Sequence, residues 1–261
     1  MLYYLKGDHK MKKFLTCIMV LSSMIIAGSL PIFAMDIQNS SEQNPIALEN
    51  DSITYDMIDS VIKNGKIIAI SDNKMDFSMT ESINTVQTRG KGIIENEIKT
   101  NVKIIALEGT VDDLLSYASI IKENDGSVER SESDNLPMAT ITTRVYYTKY
   151  TYSDGKEYYG INKVTGRIVG AQSGSYLGSN TYITKNYAHI GQEGYTPSGY
   201  RSNSSPYEPS VSTRFWTFTA PSSWKNYPVA NSSSNAVGCY YYITLTRGSE
   251  SWKIELTNNI W

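Results

Sequence analysis

The sequence predicts an α+β chain in which a small α/β N-terminal part precedes an antiparallel β-sandwich of immunoglobulin-like general form. Three observations carry that expectation. Composition changes near residue 139: of the 18 tyrosines that follow residue 34, 16 lie at or after Tyr146, and all four tryptophans (Trp216, Trp224, Trp252, Trp261) lie there too. Periodicity changes at the same place, from helical spacing mixed with short strands to the alternation of strands. Beyond it, Gly/Ser/Pro-rich connections separate six β-rich segments, the pattern of an antiparallel sandwich. A boundary is therefore expected at Leu136-Pro137, after the polar run ENDGSVERSESDN, dividing residues 53–137 from residues 138–261.

Residues 1–34 read as a leader. From Met11 the chain runs MKKFLTCIMVLSSMIIAGSLPIFA: two lysines, an apolar run from Phe14 to about Gly28, and a small residue, Ala34, at the cut. That is the anatomy of a secretory signal peptide. The run is short for a membrane anchor, which needs roughly 20 apolar residues. The charged decapeptide MLYYLKGDHK fits poorly before a complete signal, so translation is expected to begin at Met11. The protein is accordingly expected to be secreted, with no stable membrane span once the signal is removed.

Loss of the leader changes the inventory of chemistry. It takes Lys6, Lys10, Lys12, Lys13 and Asp8, leaving 20 basic and 25 acidic residues and a net charge near −5. Nucleic acid is thereby disfavoured as a partner, because phosphate contacts require a basic footprint. One histidine, His189, and one cysteine, Cys239, remain. Two cysteines in one chain are needed for an internal disulfide or a CxxC redox pair, and four ligands for a zinc site, so none of these is available. No phosphate-cradling GxxxxGK[ST] and no calcium-loop pattern occurs. No cofactor or metal is implied.

The elements follow in order. Residues 35–52 are polar and aperiodic, the composition of a flexible tether. In TYDMIDSVIKNG, Thr54 can cap a helix whose Met57, Ile58, Val61 and Ile62 share a face, and Gly65 can end it. KIIAI (residues 66–70) reads as a strand, and so does EIKTNVKIIALEG. In GTVDDLLSYASIIKENDG, Thr110 and Asp113 stand at capping-box spacing before a helical apolar repeat. From Ala139, strands are expected on both sides of Asp154-Gly155, the favoured core of a two-residue hairpin turn. Further strands are expected at about residues 181–190, 211–219, 238–246 and 251–257. On the first of the last pair, Cys239, Tyr241, Ile243 and Leu245 alternate onto one apolar face, which makes Cys239 a core residue.

Function is less legible. A Cys239–His189 dyad needs imidazole and thiol within hydrogen-bond reach, and a serine triad through His189 has no GxSxG elbow. Glu157, Glu193, Glu208, Glu250 and Glu255 supply carboxylates for glycoside hydrolysis, but their spacing singles out no pair. The stretches 191–210 and 220–236 are long for connections, and they combine Tyr and Trp with Ser, Gly and Asn, the chemistry of paratopes. Tyr195, Tyr200, Tyr207, Trp224 and Tyr227 are therefore the candidate ligand-binding residues; the bland alternative is that they pin the loops to the sandwich. If each connection reverses direction, the two long loops lie at opposite ends, and the 191–210 end, between two tight turns, is the favoured surface. The expected function is extracellular binding of a glycan or protein. The alternatives are a secreted hydrolase using His189 and a membrane-active toxin or bacteriocin-like factor.

Overall fold

A computed structural model describes residues 53–71, 73–88, 92–107, 112, 114–116, 118–119, 138–170 and 174–261. The leader, the tether, the Thr110–Asp113 capping box and the Leu136-Pro137 boundary lie outside the described residues.

Helix α1 (Tyr55–Asn64) forms where expected, and its ends show why. The Thr54 hydroxyl accepts from the Met57 N–H at 3.3 Å, while the Gly65 N–H donates to the Val61 carbonyl. Ile58, Val61 and Ile62 fall on one side and are buried. Strands β1 (Lys66–Ser71), β2 (Lys74–Thr88) and β3 (Gly92–Ala106) follow, then β4 (Met138–Thr151) and β5 (Glu157–Gly170). These five run across a first, antiparallel sheet as a meander, each paired with the next. Strands β3 and β4, which flank the expected boundary, are neighbours from Ile93↔Thr151 to Ala106↔Met138. The compositional shift at residue 139 therefore runs between adjacent strands of one sheet.

The outer edge of β5 is shared by β9 (Phe215–Thr219) and β10 (Val229–Ala230). A second antiparallel sheet has the order β12-β11-β7-β6, formed by β6 (Tyr176–Gly178), β7 (Thr181–Thr196), β11 (Ala236–Arg247) and β12 (Glu250–Asn259), with β8 (Gly199–Tyr207) also on β7. The class is thus β-rich and antiparallel, as the periodicity predicted. The uninterrupted meander differs from the crossed strand order of the immunoglobulin form.

Two cores explain the layering. On one face of the first sheet, Met75, Phe77, Val102 and Ile104 meet Ile58, Val61 and Ile62 of α1, together with Leu114 and Ala118 of the second helical segment. On its other face, Ile141, Val145, Ile161, Val164 and Ile168 pack against Ile190, Cys239, Tyr241, Ile243, Leu245, Ile254 and Leu256 of the second sheet. Polar side chains lock the two sheets as well. The buried Asn258 amide donates to the carbonyls of Lys99 and Thr143, both at 3.0 Å, and the Asn101 amide donates to the Thr257 carbonyl at 2.8 Å.

Three expectations are corrected. Asp154-Gly155 does lie in the β4–β5 turn, with Gly155 at φ 81°, but the connection spans the five residues 152–156 between Thr151 and Glu157. The 191–210 stretch is largely strand: residues 191–196 extend β7, and residues 199–207 are β8. That extra strand changes the count of reversals, so the two long segments are not at opposite ends. Among the described residues no helix is long and apolar enough to cross a membrane.

Candidate ligand-binding face

Alternation along β7 and β11 gives the second sheet one dry face and one open face. On β11, Val237, Cys239, Tyr241, Ile243 and Leu245 point into the core. The intervening Tyr240, Tyr242, Thr244 and Thr246 point outward, across from His189, Tyr187, Lys185 and Tyr182 of β7. On β12 the same outward register holds Thr257, Glu255, Lys253 and Ser251.

The outward side chains form two aromatic groups. In the first, the rings of Tyr187 and Tyr242 lie 5.0 Å apart and those of Tyr240 and Tyr242 5.9 Å apart. The Lys253 ammonium sits 4.0 Å from the Tyr242 ring centroid and 5.1 Å from that of Tyr240, a cation–π arrangement. It also donates to the Tyr240 hydroxyl at 2.6 Å and pairs with Glu255 at 2.5 Å, and the Tyr240 hydroxyl donates to the same carboxylate. Hydrogen bonds from Lys253 and Tyr240 hold the Glu255 carboxyl below its ordinary range; those to Glu255 and Tyr240 hold the Lys253 ammonium above its own. Lys185 is likewise paired with Glu208 at 2.9 Å, which raises its pKa.

The second group sits at the tip of the β7–β8 hairpin. Pro197 and Ser198 make a two-residue turn; the Thr196 hydroxyl accepts from the Ser198 N–H and donates to the Gly199 carbonyl at 2.7 Å. This turn sets Tyr195 directly across from Tyr200, edge to face with centroids 5.5 Å apart. They are 60% and 57% exposed, so no core claims them. Between the two groups, Gly191 and Gly238 stand opposite each other.

The five sequence-predicted residues therefore divide. Tyr195 and Tyr200 belong to the open face. Trp224 is 5% exposed, in a short 3-10 helix, and joins the core with Phe218. Tyr207 lies on the inward side of β8, its ring 5.5 Å from that of Trp216. Tyr227 is half-buried, with the Arg201 guanidinium 4.8 Å from its ring centroid. For Trp224 and Tyr207 the structure brings out the bland alternative: they pin their segments down. Gln192, fully buried, does the same, because its amide donates to the carbonyls of Trp224 (2.9 Å) and Tyr227 (2.7 Å) while its oxygen accepts from the Ile161 N–H. Asn235 ties the 220–236 segment to the hairpin by accepting from the Tyr195 N–H at 3.3 Å. Both long segments thus meet at one end, against the expectation.

The Cys239–His189 dyad loses its geometry. Cys239 is 1% exposed, and burial pushes its thiol pKa up, away from the reactive thiolate. It pairs with Ile190 on the inward side, whereas His189 is outward, between Tyr240 and Pro206. A dyad cannot form across the sheet. Among the described residues no hydrogen bond or ion pair joins the His189 side chain to another residue. Four of the five candidate carboxylates are engaged elsewhere: Glu157 with Lys149 and the Tyr159 hydroxyl, Glu193 with Ser202, Glu208 with Lys185 and Glu255 with Lys253. Among the described residues no group of three His, Cys, Asp or Glu side chains is placed to hold a metal ion.

Sequence reasoning missed Tyr187, Tyr240 and Tyr242. The signal was present: the parity that turns Cys239 and Tyr241 inward turns Tyr240 and Tyr242 outward. Comparison of the chain with protein-family models, with curated proteins and with solved structures finds no match.

Proposed function

We propose that this chain is an extracellular binding protein whose ligand, a glycan or a protein, lies on the open face of the second sheet. The observation that carries the reading is the concentration of tyrosines there, Tyr187, Tyr240, Tyr242, Tyr195 and Tyr200, at positions that the core does not use. Burying a tyrosine ring under a ligand recovers apolar area while its hydroxyl keeps a polar contact, which is why tyrosine dominates adaptable recognition surfaces. The leader supports the extracellular compartment. The placement of Cys239 and His189 on opposite faces favours binding over hydrolysis.

The test is retention of the full chain on washed cell walls, insoluble polysaccharides and a protein-coated resin. Retention by one class, abolished in Tyr187→Thr/Tyr242→Thr with the cooperative unfolding transition retained, is the expected result. Threonine keeps the strand's β-propensity, so loss of binding would not stem from loss of the strand. Retention that ignores substitutions in both tyrosine groups would reject the face as the site.

A further inference from the structure

Resting on that reading, we infer that the ligand is an uncharged polysaccharide that lies along β7 and bridges the two tyrosine groups across Gly191 and Gly238. Three features of the face point to it.

The first is length. Tyr187 and Tyr195 are eight residues apart on one strand, about 26 Å at roughly 3.3 Å per residue. A small molecule touches one group only; an extended polymer touches both. Sugar rings present apolar C–H faces to tyrosine rings and hydroxyls to neighbouring polar side chains, and Ser202 and Ser204 line the same outward row of β8.

The second is charge. The lysines of the face are already held, Lys185 by Glu208 and Lys253 by Glu255, and Lys253 is further engaged by the rings of Tyr240 and Tyr242. With Glu193 the face carries one more carboxylate than ammonium. Among the described residues of the face an anionic polymer finds no lysine without a carboxylate partner, and a polycation finds carboxylates already bonded. Uncharged hydroxyls are the chemistry left to recognise.

The third is the glycine pair. Gly238 has a backbone reason: its φ is 158°, and a Cβ would come within 2.2 Å of the Asn258 carbonyl oxygen. Gly191 has none. Its φ lies outside the left-handed region, and a Cβ there would meet only Glu193 Cγ and Ser204 Cβ, each at an ordinary 3.8 Å. A glycine inside a strand weakens it, and one that neither backbone nor packing requires marks a close approach from outside. Here it keeps the floor open between the two tyrosine groups.

The experiment is affinity electrophoresis of the full chain through gels containing hydroxyethylcellulose, galactomannan, a soluble mixed-linkage β-glucan or the anionic polygalacturonate. The variants are Gly191→Val, Tyr195→Thr/Tyr200→Thr and Tyr187→Thr/Tyr242→Thr. The expected result is retardation by at least one neutral polymer and not by polygalacturonate, unchanged between 0.05 and 0.5 M salt (about a threefold change in Debye length). Retardation falls roughly tenfold in Gly191→Val and in each tyrosine pair. A Cβ at 191 meets only ordinary contacts and valine favours strands, so a loss with unchanged melting reports occlusion.

Retardation by polygalacturonate alone, by no neutral polymer, or in full strength by Gly191→Val overturns this inference. The wider reading then stands or falls separately. It stands if the tyrosine pairs still abolish retention on cell walls or protein resin, and it fails if they do not.

Discussion

On β11 three consecutive tyrosines meet opposite surroundings. Tyr241 is fully buried, its hydroxyl donating to Asn186 Oδ1 at 3.0 Å and its ring 5.2 Å from that of Trp216. Burial pushes its phenol pKa up. Tyr240 and Tyr242, one residue to either side, lie on the open face with Lys253 and Tyr187. The inner ring is accounted for by the sandwich. The outer rings are held by one another, by Lys253 and, through the Tyr240 hydroxyl, by Glu255. The contrast teaches that residue type does not separate core from outward-facing aromatics in this chain, whereas position along the pleat does.

The comparison breaks most visibly from the inside. Tyr241→Ala is expected to destabilise the fold by roughly 3–5 kcal/mol, since it removes a large buried ring and leaves the Asn186 oxygen without its donor. Chemical denaturation measures it; a loss below about 1 kcal/mol would mean that the inner face is not the core described here. Gln192→Leu comes next, at roughly 2–3 kcal/mol, because it leaves the Ile161 N–H and two carbonyls of the 220–236 segment without their partner. The same variant should raise proteolysis within residues 220–228, a local effect that Tyr241→Ala would not show in isolation.

On the outer face the stability effect is small. Tyr242→Thr alone should change stability by less than about 1 kcal/mol, the range of a cross-strand aromatic pair, and lower ligand retention well beyond that. A stability loss as large as that of Tyr241→Ala would make the outer rings structural and remove the contrast. Smaller still is the acid-side effect at the far end of the first sheet. Hydrogen bonds from Tyr159, Lys149 and Asn231 depress the Glu157 carboxyl below its ordinary value near 4.5. A depressed carboxyl contributes stability that is present above the unfolded value and lost as pH falls through the folded one. Glu157→Gln should therefore lower the melting temperature modestly at pH 7 and progressively less below about pH 4.5. An equal deficit at pH 3 would assign the effect to packing instead.

How far the sequence reached follows from the same physics. Helix α1 was legible because Thr54 and Gly65 bracket an apolar face of Ile58, Val61 and Ile62. The β11–β12 hairpin was legible because one face is apolar at every second residue, so its register is dictated by burial. β8 was not. It is an edge strand whose sequence, GYRSNSSPY, is polar on both sides and carries Pro206, tolerated at an edge but a mark of loops elsewhere. With β8 read as loop, the hairpin tip and the 220–236 segment were sent to opposite ends. For Trp224 and Tyr207 the sequence leaves binding and pinning both open, and Gln192 and the Trp216 ring are what hold their segments to the core. Two of the five candidates, Tyr195 and Tyr200, are exposed, because a tip residue with nothing opposite it but its own partner is exposed in any register. The remainder, Tyr187, Tyr240 and Tyr242, required only the parity already used to bury Cys239.

The central claim is tested most directly by hydroxyl-radical footprinting across Tyr240, Tyr241 and Tyr242, first on the free chain and then on the chain retained by the cell-wall or polysaccharide matrix. The account predicts modification of Tyr240 and Tyr242 in the free chain, their protection on the matrix, and an unmodified Tyr241 in both states. Equal modification of all three, or outer tyrosines as reactive on the matrix as off it, would contradict it.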